Sequence, residues 1–231
     1  MEKKIKGYVI YEGLSEINKE PIVAIATLTS KNEKTGNMVS LWILHSNIAP
    51  TEAVKSGEDE AICGLCPHRH FLGGACYVLP FQAPSQIYKS YKRGDYPTLK
   101  DFSLFNDLRL RFGAYGDPLA IPNNILENLV KNVSHYTSYT HQWKNEANQC
   151  KKVFSMASTD NLKETLEAQK MGWRTFRVTN NINDLLDTEM ICPNTTHEIL
   201  CKNCVLCSGT SSKAKSIVIE IHGAKKKRFK G

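Results

Sequence analysis

Apolar and β-branched residues dominate three early runs, each bounded by polar or turn-forming positions: "GYVIYEG" (7–13), "PIVAIATLTS" (21–30) and "MVSLWILHS" (38–46). Runs of this length and composition predict strands. The polar, glycine-containing "KNEKTGN" suits a hairpin between the last two, so the opening unit is expected to be antiparallel. "TEAVKSGEDEA" follows as a short helix, with Thr51 after Pro50 as its expected N-cap and Gly57 as its stop.

The grain then changes. Helical patterns are predicted at 83–94, 122–133 and 161–172, with a short helix over "KNEANQCKK" (144–152). Strand patterns fall at 108–116, 135–143, 153–159, 173–179 and 216–223. A crossover helix returns the chain to the side it left, so successive strands of this kind pair in parallel. The expected fold class is α/β: N-terminal antiparallel strands, then a parallel β/α sheet or a partial (β/α) barrel carrying two cysteine-rich metal loops. The expected units are residues 1–60 (β-rich), 61–190 (parallel core with the first cysteine group), 191–223 (second group and last strand) and 224–231 (basic tail). Such folds bind ligands at the carboxyl ends of their strands. That rule points to Gly116 and Asp117, Thr140 to Trp143, Ser158 to Asp160, and Arg177 to Asn180.

Composition narrows the class without changing it. The 231 residues are 41% hydrophobic and 23% charged, ordinary globular values. No apolar run reaches membrane length and the N-terminal stretch lacks a signal-peptide core, so a cytoplasmic protein without a membrane partner is expected. Thiols stay reduced there, and clustered cysteines point to metal rather than disulfides. The formal charge is +7, part of it in "AKKKRFKG" (224–231). That tail reads either as a solvated terminus or as a contact for nucleic-acid phosphate.

Seven of the eight cysteines fall in two groups. "CGLCPHRHFLGGAC" holds Cys63, Cys66 and Cys76; "CPNTTHEILCKNCVLC" holds Cys192, Cys201, Cys204 and Cys207. Thiolates are soft ligands, and zinc or an iron–sulfur cluster needs three or four in a small volume. In the first group, His68 or His70 as a fourth ligand would close a zinc site. Three cysteines alone would leave one iron of a [4Fe–4S] cluster open to a small molecule. The second group has four ligands and suits a closed centre, with cluster and zinc both open. Cys150 stands apart and reads as packing.

At "RFGAYGDPLAIPNNILENLVKN" (111–132) the chain resembles the second strand–helix unit of radical SAM enzymes, in which a glycine-rich strand end and an acidic residue hold S-adenosylmethionine. The resemblance covers roughly residues 60–180 and matches Gly113, Gly116, Asp117 and Pro118. It implies a partial barrel, an open [4Fe–4S] cluster, S-adenosylmethionine as cofactor, an electron donor as partner, and an auxiliary cluster at the second cysteine group. The family's usual motif is C-x3-C-x2-C, whereas this chain has C-x2-C-x9-C. The whole chain is also similar to a group of cysteine-rich proteins encoded by phages and prophages.

Three further residues are expected to meet substrate. His141 and Tyr139 share one face of a predicted strand by period-two alternation, and His141 suits a general base. Arg174 and Arg177 fall on opposite faces of the next strand, and Arg177, nearer its end, suits a carboxylate or phosphate. The expectation is an iron–sulfur protein on a radical SAM-like scaffold acting on a nucleotide or nucleic-acid-related substrate. Its rival is a non-catalytic zinc module that contacts nucleic acid or a protein partner.

Overall fold

A computed structural model describes residues 5–231; the first four residues of the N-terminal unit, with Lys3 and Lys4, lie outside them. The ten strands are β1 (Gly7–Leu14), β2 (Pro21–Thr27), β3 (Val39–His45), β4 (Arg109–Tyr115), β5 (His135–Thr137), β6 (Tyr139–Thr140), β7 (Met156–Thr159), β8 (Thr175–Thr179), β9 (Glu189–Ile191) and β10 (Ser216–Glu220). The first sheet runs β1-β2-β3-β4-β5, antiparallel across β1, β2 and β3 and parallel from β3 onward. The second runs β6-β7-β8-β10-β9 and is parallel throughout. Among the described residues no pairing joins β1 to β9, so no barrel closes.

One residue, Ser138, separates β5 from β6. Its N–H donates to the Cys207 carbonyl at 2.9 Å, and its carbonyl accepts from Met156 N at 3.0 Å. A single run of chain therefore serves both sheets.

Among the described residues seven α-helices accompany the strands: α1 (Pro50–Ser56), α2 (Glu60–Cys63), α3 (Ala83–Lys92), α4 (Asn123–Asn132), α5 (Leu162–Lys170), α6 (Pro193–His197) and α7 (Cys201–Cys204). β2 and β3 are buried almost end to end, because helices and loops cover both faces of the first sheet. That double covering explains continuous apolar runs where a half-exposed strand would alternate. The main core gathers Ile22, Ile25, Leu41, Ile43, Ile62 and Leu126, all fully buried. A smaller core of Trp143, Ala157, Ala168 and Trp173 seats α5 on the second sheet.

Three expectations are corrected in detail. The N-cap of α1 is Ala49, with no side-chain cap, so Thr51 lies inside the helix. Pro50 occupies the first turn, where its fixed φ is already helical. Gly57 does end α1, at φ 95°. The strand expected over 153–159 is shortened to β7 because Glu146–Val153 winds into 3₁₀ turns. β9 has no counterpart among the predicted strands; it is three residues long, and its place comes from pairing with β10.

A cavity between two cysteine groups

The parallel strands present alternate residues to one face. Arg111 and Gly113 of β4, Tyr139 of β6, Phe176 and Val178 of β8, and Ile217 of β10 line a cavity of about 310 Å3. The loops that close it carry all seven grouped cysteines. Residues 63–76 and 192–207, more than a hundred positions apart in sequence, thus turn onto one space.

The first group is pinned by Arg69. Its buried guanidinium donates to Asp59 Oδ1 at 3.0 and 2.7 Å and to the Gly57 carbonyl at 2.7 Å. Burial opposes the charge on Arg69, but the Asp59 contacts prevail and raise its pKa. Gly74 lets the loop fold on itself, since a Cβ there would stand 2.5 Å from the His68 carbonyl carbon. Gln142 ties the loop to the strand ends: its Nε2 donates to the Cys63 carbonyl at 3.0 Å, and its Oε1 accepts from Leu65 N at 3.2 Å.

The second group is held from two sides. The loop between β2 and β3 accepts from Cys201 N at the Lys34 carbonyl and from Lys202 N at the Thr35 carbonyl, at 3.1 and 3.0 Å. Arg174 donates to the carbonyls of Leu206, Gly209, Ala214 and Lys215 at 2.6–2.9 Å, fixing the segment that carries Cys207. Val205, between Cys204 and Cys207, sits at φ 53°. A β-branched residue in the left-handed region is strained, and such strain persists where surrounding contacts enforce it.

Burial, and secondarily the neighbouring thiols, push Cys63 well above the ordinary thiol range. Burial likewise raises Cys76 to about 11 and Cys207 to about 12, and it raises Cys201 and Cys204. Without a cation these five are neutral thiols at pH 7, whereas thiolates are what metals take. Among the described residues no three cysteine sulfurs lie within 4.8 Å of one another. Tetrahedral Zn–S bonds of about 2.3 Å would hold sulfurs about 3.8 Å apart. A cluster spreads its thiolates over separate irons and accepts a wider ring. Among the described residues the cysteine sulfurs are not gathered as one metal or cluster site, although all seven grouped cysteines line the same cavity.

Of the two expected histidine ligands, His68 lines the cavity with the first cysteine group and His70 does not. His70 is committed to the Val78 carbonyl at 2.6 Å and to Lys225 Nζ at 2.5 Å. His68 Nε2 meets Asp160 Oδ1 at 2.8 Å, and His141 Nε2 lies 3.5 Å from Asp160 Oδ2. These three residues form the one group of metal-ligating side chains within 4.8 Å among the described residues. His141 Nε2 and Asp160 Oδ2 are buried without a hydrogen-bond partner. Burial disfavours the imidazolium of His141, but the Cys66 sulfur and the Asp160 carboxylate outweigh it and raise the pKa well above the ordinary value. Burial would raise Asp160, and the two imidazoles more than reverse that.

The remaining candidates divide. Tyr139 faces the cavity, its ring tilted at 49° to that of Phe176 with centroids 4.3 Å apart, and burial and then Cys207 and Cys201 raise its pKa well above 10. Gly113 and Gly116 also line the space, at φ 64° and 83°. A Cβ on Gly116 would stand 2.8 Å from Ile43 Cβ, so the turn itself demands glycine. Asp117 is buried and already engaged, accepting from Leu119 N, Thr140 Oγ1, His141 N and Gln142 Nε2 at 2.9–3.3 Å. Burial raises its pKa and those donors partly offset the rise.

Arg177 departs from expectation. Phe176 and Val178 take the cavity face of β8, so Arg177 points the other way. There it donates to both Glu189 oxygens at 2.9 and 2.7 Å and to the Asp184 carbonyl at 2.6 Å. The basic tail is not a frayed end: Phe229 is buried and its ring stacks 5.4 Å from that of His68.

No family model matches the chain, and neither the curated proteins nor the solved structures searched yield a match.

Arg111 and Asp160 are the cavity residues that the sequence pattern does not single out. Asp160 falls within the strand-end positions, but its residue type gave no reason to single it out. Arg111 stands two residues before Gly113, and strand alternation alone puts both on one face.

Proposed function

We propose that this chain is an iron–sulfur protein whose cavity is a reaction chamber bounded by two cysteine-ligated centres, on a radical SAM-like scaffold. Cys63, Cys66 and Cys76 would hold one cluster, and Cys192, Cys201, Cys204 and Cys207 the other. The observation that carries the reading is the convergence of both groups on one space beside parallel strands. Bound clusters supply one-electron transfer, which requires an external electron donor. The chain's own residues do the rest: Tyr139 and Phe176 wall the chamber, and Gln142 fixes the first loop to the strand ends. His141 holds a proton beside Cys66. For S-adenosylmethionine the fit is poorer, because Asp117, which the resemblance assigns to its amino group, already takes four donors. Exposed Lys226, Lys227 and Arg228, near the loop that Lys225 contacts, favour a phosphate-bearing substrate such as a nucleotide.

A second reading rests on His68, His141 and Asp160. Two nitrogens and a carboxylate within 4.8 Å suit one zinc ion, with two of these atoms otherwise unpartnered. That would make the chain a zinc-stabilised binding module.

Anaerobic purification with iron, sulfide and zinc analysis separates the two. The cluster reading expects a brown protein with iron and acid-labile sulfide, with part of the iron lost in Cys63→Ser/Cys66→Ser and another part in Cys204→Ser/Cys207→Ser. A colourless protein with one zinc per chain, lost in His141→Ala but retained in the cysteine variants, would defeat it.

A further inference from the structure

The second basic position of β4 remains unused by either reading. Arg111 faces the cavity from the first sheet, on the same side as Gly113, and among the described residues its one hydrogen-bond acceptor is the Tyr77 hydroxyl, 2.7 Å from Nη2. A guanidinium offers five N–H donors in a planar fork. Other arginines show what satisfaction looks like here: buried Arg69 and Arg177 fork onto carboxylates, and half-buried Arg174 takes four carbonyls. No carboxylate of the described residues pairs with Arg111. The two that line the cavity, Asp117 and Asp160, are held by their own partners. Tyr77 is itself braced, stacked 5.4 Å from His222 just beyond β10, so it aims the fork rather than neutralising it. Tyr77 first, then Tyr139 and Cys201, keep the charge on Arg111 against burial.

We propose that Arg111 anchors an anionic group, a carboxylate or a phosphate, on the small molecule that occupies the cavity. The walls around it set the rest of that molecule. Phe176, Val178, Ile217 and Ile219 are apolar, so the body beyond the anion is apolar or aromatic. The fork matches either anion through two parallel N–H···O bonds, which a lysine could not reproduce. The inference shares its cavity with the iron–sulfur reading, but it needs no cluster to hold.

The test is ligand-observed NMR titration of the full chain, purified anaerobically, with benzoate, phenyl phosphate and neutral benzamide. At least one anion binds wild type, and Arg111→Gln weakens that binding by about tenfold or more while Arg111→Lys recovers part of it. Comparing benzoate with phenyl phosphate tells which anion the fork prefers. Neither anion binding, or equal binding by wild type and Arg111→Gln, overturns the proposal. So does unchanged anion binding with lowered iron in Arg111→Gln, which would make Arg111 a counter-charge for thiolates. Iron and sulfide are measured on the same samples: their absence throughout defeats the cluster reading and leaves this one standing.

Discussion

His45, at the end of β3, shows how closely single side chains are committed. It is buried, and its Nδ1 accepts from both Asn47 N and Ile48 N at 3.2 Å. Those donors require a lone pair on Nδ1, so protonation there would break both bonds. Burial is the chief cause of a lowered pKa, with Glu20 and Glu58 opposing it. The folded state therefore binds fewer protons than the unfolded one near the ordinary imidazole value, about 6.5. The stability this ring contributes is present above that value and is lost as pH falls below it toward the lowered folded value. Urea unfolding at pH 7.5, 6.5 and 5.5 should show this loss in wild type and a flatter pH dependence in His45→Gln. Equal slopes would refute it. Nothing in "ILHSN" signals such a role, because it depends on a backbone turn that brings two N–H groups to one nitrogen.

At the scale of elements, strands and helices with their own hydrophobic pattern were readable, and those placed by partners were not. α5 and β8 follow from "NLKETLEAQKMG" and "WRTFRVT", whose apolar spacing and terminal glycine act locally. β9 has no such pattern and depends on Glu189 reaching Arg177. Removing one member of a buried pair leaves the other charge stranded, at a cost of about 3–5 kcal/mol. Arg177→Met should lose about that much in denaturant unfolding and speed amide exchange across 189–192, just ahead of Cys192. Replacing Glu189 by Met as well should restore much of the loss. A single variant as stable as wild type would mean that β9 is held by its ladder alone. The same local-versus-partner division explains the site: the strand-end rule pointed to His141 and period-two alternation to Tyr139, but Arg177's face was settled by which neighbours it could pair with.

For the whole molecule, the parallel order and the antiparallel opening were legible, and the meeting of the two cysteine groups was not. Spacing within "CKNCVLC" speaks of sulfurs near one another, whereas convergence on "CGLC" is set by sheet curvature and loop docking. Because Ser138 belongs to the backbone between β5 and β6, the halves should unfold together. Trp42 reports the first sheet and Trp143 with Trp173 the second core. Variants retaining only one of these reporters should give coincident fluorescence transitions in denaturant, and separated midpoints would mean two independent units.

That shared strand also bears on traffic. Two sheets joined through one residue cannot swing apart like jaws, so the chamber has no hinge across its floor. A molecule entering or leaving must pass at the rim, among the loops that line the cavity: the β2–β3 loop at Asn32 to Thr35, the turn at Cys76 to Val78 and the turn at Cys192 to Asn194. Exchange rates would then answer to substitutions in those three places and stay indifferent to changes in the strands beneath them.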